Sequence, residues 1–188
     1  MLAAVAVSLA VFAGCSGKSD NAAKPAGTES TGTEKAGPSG SAAPSKVETV
    51  DPSKVFARQT FKLPKKPEDT VEVGVVSLVV TGKIATLRLV FTPHLQSESA
   101  TEAVSIFKIL GRTGFRPYLM DFEHLKRYNV VKGTGASTLA TADVDTKTVN
   151  GTSVAAFAVF AAPEDGAKTV DVHITEFWPE FKAVPVQR

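Results

Sequence analysis

The chain has 188 residues and a formal net charge of +2, from 21 lysines and arginines against 19 acidic residues. This length allows one ordinary domain with attached segments, and the scattered basic residues argue against a nucleic-acid-binding face. The sequence contains a single cysteine, which excludes an intramolecular disulfide. A folded domain must therefore be stabilised by its hydrophobic core.

The first feature along the chain is an apolar stretch that ends at this cysteine. Residues 2–12 are almost wholly apolar and are followed by Ala13-Gly14-Cys15 and then by polar residues. The stretch is too short to cross a bilayer as a stable helix, but it fits the hydrophobic part of a signal peptide. These residues resemble a bacterial lipobox, in which the cysteine becomes the first residue of the mature protein and is lipidated.

The lipobox resemblance implies a signal peptide over residues 1–14 and a lipid anchor on Cys15. Two or three acyl chains hold a protein stably on a bilayer, whereas one chain binds only marginally. We therefore expect membrane attachment on the outer, extracytoplasmic face of the cell membrane. The alternative is an incidental cysteine within an ordinary secretory signal.

A polar segment follows the cysteine. Residues 16–46 contain no Val, Ile, Leu, Met, Phe, Tyr or Trp. Such a segment cannot bury enough apolar surface to offset the entropy lost on ordering. We expect Cys15 and the residues up to 46 to form a disordered linker, and residues 47–188 to form the folded domain.

Apolar residues then return with the period of two that is typical of strands. Valines occupy every second position over residues 71–75, and over residues 76–80 the apolar residues shift to the other set of alternate positions. This shift predicts a β-bulge near Val75-Val76. Thr81-Gly82-Lys83 predicts a hairpin turn. A further strand over residues 84–91 is expected to end at Pro93.

The segment from Ser99 to Leu110 has a different pattern. Its apolar residues fall at helical spacing, Ser99 is a candidate N-cap, and Glu102 follows three residues later. These residues predict a short helix across one end of the domain.

The next segments predict a hairpin and a central strand. Residues 115–122 are expected to form a strand with Tyr118, Met120 and Phe122 on one face. The loop 123–125 then joins it to a second strand over 127–131. Asp121 and Arg127 are expected to pair across this hairpin. Residues 133–150 are expected to form a mobile excursion with a weak strand or two, and the uncharged run 152–161 a central strand.

The clearest alternation in the chain comes near its end, after a turn predicted at Pro163-Glu164-Asp165-Gly166. Over residues 168–177, Val170, Val172 and Ile174 are expected to face inward, and the residues between them, including His173 and Thr175, outward. Residues 184–186 could be an edge strand or a tail. Together the elements predict an all-β sandwich of about seven strands with one short helix, and a closed barrel as the alternative.

Two segments carry a family resemblance. Tyr118-Leu119-Met120-Asp121 with the hairpin partner 126–131, and Val170-Asp171-Val172-His173-Ile174 with residues 177–186, resemble the telokin-like, immunoglobulin-like domains of actinobacterial secreted lipoproteins. The resemblance covers about residues 71–186. It implies an extracytoplasmic immunoglobulin-like β-sandwich without known catalysis.

Residues with catalytic or metal-binding chemistry form no recognisable set. His94, His124 and His173 share no metal-ligand spacing and are expected to be solvated surface residues. Asp143 and Asp145 lack the glycine and the terminal glutamate of a calcium loop. We therefore expect no catalytic residue, no metal and no cofactor.

The aromatic segment Phe177-Trp178-Pro179-Glu180-Phe181 is the candidate partner-binding surface. Phe177, Trp178 and Phe181 either close one end of the sandwich or present an aromatic anchor of the kind found in binding hot spots. We expect a membrane-anchored, non-enzymatic binding or accessory module that engages a protein or cell-envelope partner. The alternatives are a solute- or metal-binding lipoprotein that serves a transporter and, least favoured, an enzyme.

Overall fold

The computed structural model describes residues 54–188 except 134, 136 and 165. The signal peptide expected at 1–14, the lipidation of Cys15 and the linker expected up to residue 46 lie outside this range. The described residues confirm the all-β sandwich, with ten strands and one short helix. The strands are β1 (Ala57–Leu63), β2 (Lys66–Thr81), β3 (Ile84–His94), β4 (Ala103–Ser105), β5 (Tyr118–Asp121), β6 (Lys126–Asn129), β7 (Lys147–Val149), β8 (Val154–Ala161), β9 (Thr169–His173) and β10 (Phe181–Pro185), and the helix is α1 (Ile106–Ile109).

Two four-stranded antiparallel sheets form the sandwich. The first has the order β1-β2-β3-β8 and the second the order β10-β9-β5-β6, while β4 and β7 form a separate pair. Isolated bridges join the sheets at both sides, one between Val130 and Phe160 and the other between Val79 and Gln187. These bridges pair backbone groups that would otherwise lie open at the sheet edges.

The β2–β3 hairpin follows the sequence pattern closely. The register shifts between Val75 and Ser77, so the bulge predicted near Val75-Val76 is confirmed. The loop between the strands is Gly82-Lys83, with Gly82 at φ +60°. Glycine in the first loop position with a positive φ suits a type II′ turn, whose twist matches that of the flanking strands.

The expected end of β3 at Pro93 is wrong, because the strand continues to His94 and pairs Pro93 with Val71. The carbonyl of Pro93 accepts a hydrogen bond from the amide of Gly151 at 2.7 Å. In antiparallel strands the N–H and C=O of one residue point the same way. The missing N–H of Pro93 therefore faces away from β2 and leaves that ladder intact.

The helix predicted over Ser99–Leu110 is wrong in its extent. Only Ile106–Ile109 are helical, and the N-cap is Ser105, whose hydroxyl accepts from the amide of Lys108. Residues 103–105 instead form β4 against β7. The pairing partner comes more than forty residues later, so local spacing did not reveal it.

The core lies between the two sheets. The inward residues predicted for β9 are confirmed, since Val170, Val172 and Ile174 are all buried. In β3 the alternating residues Leu87, Leu89 and Phe91 are buried as well. Thr175 was expected to face outward but is only 6% exposed, because β9 ends at His173 and the alternation ends with it. In β5 the buried side chains are those of Leu119 and Asp121, whereas Phe122, after the strand, is 63% exposed.

Two further elements complete the sandwich. The sequence pattern did not predict β1, which pairs with the first half of β2 and contributes the buried Phe61. Strand β8 bonds β3 on one side, and on its other side its carbonyls accept from the amides of Val131 and Thr141. Within the described chain, no helix is long and apolar enough to cross a bilayer.

Candidate functional site

The aromatic segment that was expected to bind a partner lies mostly in the core. Trp178 is 6% exposed and stacks on Phe61 with ring centroids 4.6 Å apart. Phe181 is 1% exposed and meets Phe61 edge to face. Trp178 and Phe181 therefore have the packing role that was the alternative for this segment. Only Phe177, at 43% exposure, offers its ring to a partner.

A stack of side chains crosses the outer face of the second sheet. The guanidinium carbon of Arg127 on β6 lies 3.8 Å from the ring centroid of Tyr118 on β5. The Tyr118 ring in turn stacks on His173 of β9, with centroids 4.4 Å apart and an interplanar angle of 8°. The expected ion pair between Asp121 and Arg127 is wrong, because Asp121 is buried and Arg127 belongs to this outer stack.

The histidines differ from the expectation that all three are solvated. His173 is half-buried in the stack, and desolvation lowers its pKa. The nearby charge of Arg127 also lowers this pKa, whereas Glu180 and Asp171 oppose the shift. Burial of His173 therefore favours the neutral form of its imidazole. Only His94 is exposed to solvent in the expected way.

His124 is held by Asp121 at the turn between β5 and β6. The buried carboxylate accepts from the amide of His124 at 3.1 Å and lies 2.8 Å from its ring Nδ1. The turn also holds Leu125 at φ +53°, with its side chain 87% exposed. The two contacts from Asp121 help to hold this turn, in which Leu125 keeps a conformation that is unfavourable for a non-glycine residue.

A cleft of about 660 Å³ opens beside Arg127, next to this aromatic stack. Its walls come from residues 113–117 before β5, from the end of β6 and the residues after it, and from residues 174–177 after β9. The 113–117 wall is fixed by Asp143, whose carboxylate accepts from the amide of Phe115 at 2.7 Å. Asp143 thus has a structural contact in place of the calcium role that its spacing superficially resembled.

The charges lining the cleft are unbalanced. Arg116, Arg127 and Lys132 line it, with Glu176 as the one carboxylate among the lining residues. Within the described residues, none of the three cations forms an ion pair with a carboxylate. Asp143 also lies near this wall, since its Oδ2 would be 3.6 Å from a Cβ added at Gly114.

One residue that lines the cleft carries an unusual polar group. Thr175 lines the cleft, and its hydroxyl is the one buried side-chain polar atom in the described part of the chain that lacks a hydrogen-bond partner. Buried hydroxyls normally find a partner, so one without a partner calls for a structural or functional explanation.

No metal centre accompanies the cleft. Among residues 54–188, as far as they are described, no group of three or more His, Cys, Asp or Glu side chains could hold a metal ion. The expectations of no metal, no cofactor and no catalytic residue remain predictions.

Comparison of the chain with models of protein families, with curated proteins and with solved structures found no match in any of the three. The resemblance to telokin-like lipoprotein domains therefore remains a prediction.

The cleft was not foreseen from the sequence. Arg116, Arg127 and Lys132 flank the predicted hairpin, and their clustering around it was the only available signal. Residues 174–177 follow the C-terminal end of β9, and nothing in the local pattern indicates that they face the hairpin.

Proposed function

We propose that this protein is an extracytoplasmic lipoprotein, anchored through lipid on Cys15, whose sandwich is a non-enzymatic binding or accessory module for a protein or cell-envelope partner. The apolar residues 2–12 and the small residues before Cys15 support the anchor. The polar composition of residues 16–46 supports a linker that holds the domain away from the bilayer.

The cleft is the observation that carries the binding function. Its volume of about 660 Å³ is in the range of natural ligand sites, and its walls combine cations, the exposed ring of Phe177 and buried apolar residues. Arg127 and Phe177 are of residue types that are enriched at protein interfaces. The partner site thus includes one residue of the predicted aromatic segment, Phe177, but is centred on the basic cleft.

A solute-binding lipoprotein that serves a transporter is the second candidate. The volume of the cleft favours it, because a small molecule would fit there without a larger contact surface. Metal transport has no comparable support among the described residues.

Detergent phase partition tests the anchor. The wild-type protein should enter the detergent phase, and Cys15→Ala should remain aqueous because it lacks the acyl chains. Mass spectrometry of the exported protein should find a lipidated Cys15. An unmodified thiol on the exported chain would contradict the anchor.

Site-specific photo-crosslinking in intact cells tests the binding function. A photoreactive phenylalanine analogue at Phe177 should crosslink to a defined partner. The same analogue at Phe56, which is 57% exposed and does not line the cleft, is the matched control. A macromolecule captured at position 177 but not at 56 would support the binding module. Identical adducts at both positions would argue against the cleft as the binding site.

A further inference from the structure

We propose that the cleft binds an oxyanion, a phosphate or carboxylate group carried next to a flat apolar portion of the ligand. This inference rests on the proposed binding function and names the ligand chemistry of the same site. It follows from three properties of the cleft, namely its charge, the fixed position of one cation and its aromatic rim.

The charge of the cleft selects for anions. Three cationic side chains and one carboxylate among the lining residues leave a net charge of +2 within a concave surface. A concave site with low-dielectric walls strengthens the field of its charges. Arginine presents a planar fork of donors that matches phosphate and carboxylate oxygens, and charge-assisted bonds of this kind are among the strongest in proteins. A cationic ligand would meet repulsion at this site.

Arg127 is held in place before any ligand arrives. Its guanidinium lies on the Tyr118 ring, and its Nε donates to Oδ1 of Asn129 at 3.0 Å. These two contacts leave the terminal nitrogens as the donors for a ligand, since Nε carries a single N–H. A side chain that is already ordered loses less entropy on binding, so its contribution to affinity is larger.

The rim of the cleft provides the apolar contact. Phe177 is 43% exposed, and its ring is held edge to face against the buried Trp178 at a centroid distance of 5.7 Å. Pro117 and Val130 also line the cleft. A flat ring of the ligand can pack on Phe177 while its oxyanion reaches the cations.

Neither Asp143 nor Glu176 cancels the charge of the cleft. Asp143 Oδ2 already accepts from the Phe115 amide, and Asp143 is not among the lining residues. Glu176 lines the cleft and opposes an anion there. Neutralising Glu176 should therefore strengthen anion binding, which provides a variant expected to gain affinity.

Titration of the purified full-length protein with four small probes, followed by calorimetry or NMR, tests the inference. The probes are phenyl phosphate, benzoate, inorganic phosphate and benzylamine. Phenyl phosphate or benzoate should bind most tightly, inorganic phosphate more weakly because it has no ring, and benzylamine least. The comparison of phenyl phosphate with benzoate distinguishes a phosphate ligand from a carboxylate ligand.

Variants locate the binding. The double variant Arg116→Gln with Lys132→Gln should weaken the binding of the preferred anionic probe by about tenfold or more, because two charged contacts are lost. Lys83→Gln removes the same kind of charge from an exposed turn outside the cleft and should leave the affinity unchanged. Glu176→Gln should tighten binding, and this result does not depend on the double variant folding.

Equal binding of benzylamine and phenyl phosphate would overturn the inference, as would wild-type affinity in a folded double variant or weaker binding in Glu176→Gln. If none of the anionic probes binds while Phe177 still crosslinks a partner, the anion inference fails and the binding module stands. If an anionic probe binds as expected and no macromolecule is captured at Phe177, the anion inference stands and the protein or envelope partner fails.

Discussion

Trp178 lies face to face on Phe61, with ring centroids 4.6 Å apart and an angle of 11° between the ring planes. The indole N–H also donates to the carbonyl of Lys62 at 3.2 Å. One side chain thus contacts β1 through both its ring and its polar atom. These contacts join the residues before β10 to the edge strand of the opposite sheet.

Removal of this ring should destabilise the fold more than removal of its neighbour. Trp178→Ala is expected to lower the free energy of unfolding by about 3–5 kcal/mol, because a buried ring leaves a cavity. Phe177→Ala should cost about 1 kcal/mol or less, since much of its ring is already in water. Urea unfolding followed by circular dichroism measures both. Equal losses in the two variants would contradict the core role of Trp178.

Gly74 in the middle of β2 provides a test of packing against the outer side of the first sheet. A Cβ added at Gly74 would lie 2.7 Å from Cγ1 of Val55 and 2.8 Å from Cγ1 of Val90. Gly74→Ala should therefore destabilise the protein by about 1–3 kcal/mol, although alanine is otherwise favoured over glycine in a strand. Adding Val55→Ala should relieve part of that loss. A double-mutant cycle that shows simple additivity would rule out the steric explanation.

The unpartnered hydroxyl of Thr175 predicts a stabilising substitution. Thr175→Val should raise the free energy of unfolding by about 1 kcal/mol, because it removes a buried polar group that has no partner. Thr148 is the matched control, since its buried hydroxyl donates to the carbonyl of Thr152 at 2.8 Å. Thr148→Val should destabilise the protein by a similar amount. A loss of stability in Thr175→Val would mean that a water or a ligand satisfies the hydroxyl.

Asp121 should be more important to the β5–β6 turn than the histidine that it holds. Asp121→Ala leaves the amide of His124 without its acceptor and should cost about 1–3 kcal/mol. Asp121→Asn keeps an acceptor oxygen and should cost less. His124→Ala removes only the ring contact and should cost about 1 kcal/mol or less. Thermal unfolding of the three variants gives this order, and a larger loss for His124→Ala would reverse the assignment.

Asp69 predicts an acid-sensitive component of stability. Burial by itself raises the pKa of Asp69, but hydrogen bonds from the hydroxyl and amide of Ser97 and from the amide of Gln96, with the charge of Lys66, bring the net pKa below its usual value of 3.8. A carboxyl whose folded pKa is lowered stabilises the fold fully above the unfolded pKa. This stability is lost as the pH falls through the lower, folded pKa.

The variant Asp69→Asn isolates that component. It should be less stable than the wild type at pH 7, by about 1–3 kcal/mol, because charged hydrogen bonds are lost. The difference between the two proteins should shrink as the pH falls below about 4. Free energies of unfolding from urea curves between pH 2 and pH 7 provide the measurement. A difference that stays constant with pH would refute the role of the charged carboxylate.

Elements whose pattern depends on near neighbours were predictable from the amino-acid residues alone. The alternation over residues 71–75, 84–91 and 170–174 predicted strands, and its alternating apolar residues are buried, because successive residues in a strand point to opposite sides of the sheet. The loop at Gly82 was predictable for the same local reason, since a two-residue turn favours glycine.

The tertiary structure alone decided the features that depend on residues far apart in the chain. From the sequence, Trp178 could have been an exposed anchor. It is a core residue because it contacts β1, where Lys62 lies 116 positions earlier in the chain. Residues 103–105 became a strand because β7 lies beside them. The basic cleft forms where three separate segments meet. Local periodicity indicates which side of a strand or helix is buried. Which other element covers that side depends on packing and strand pairing across the whole domain.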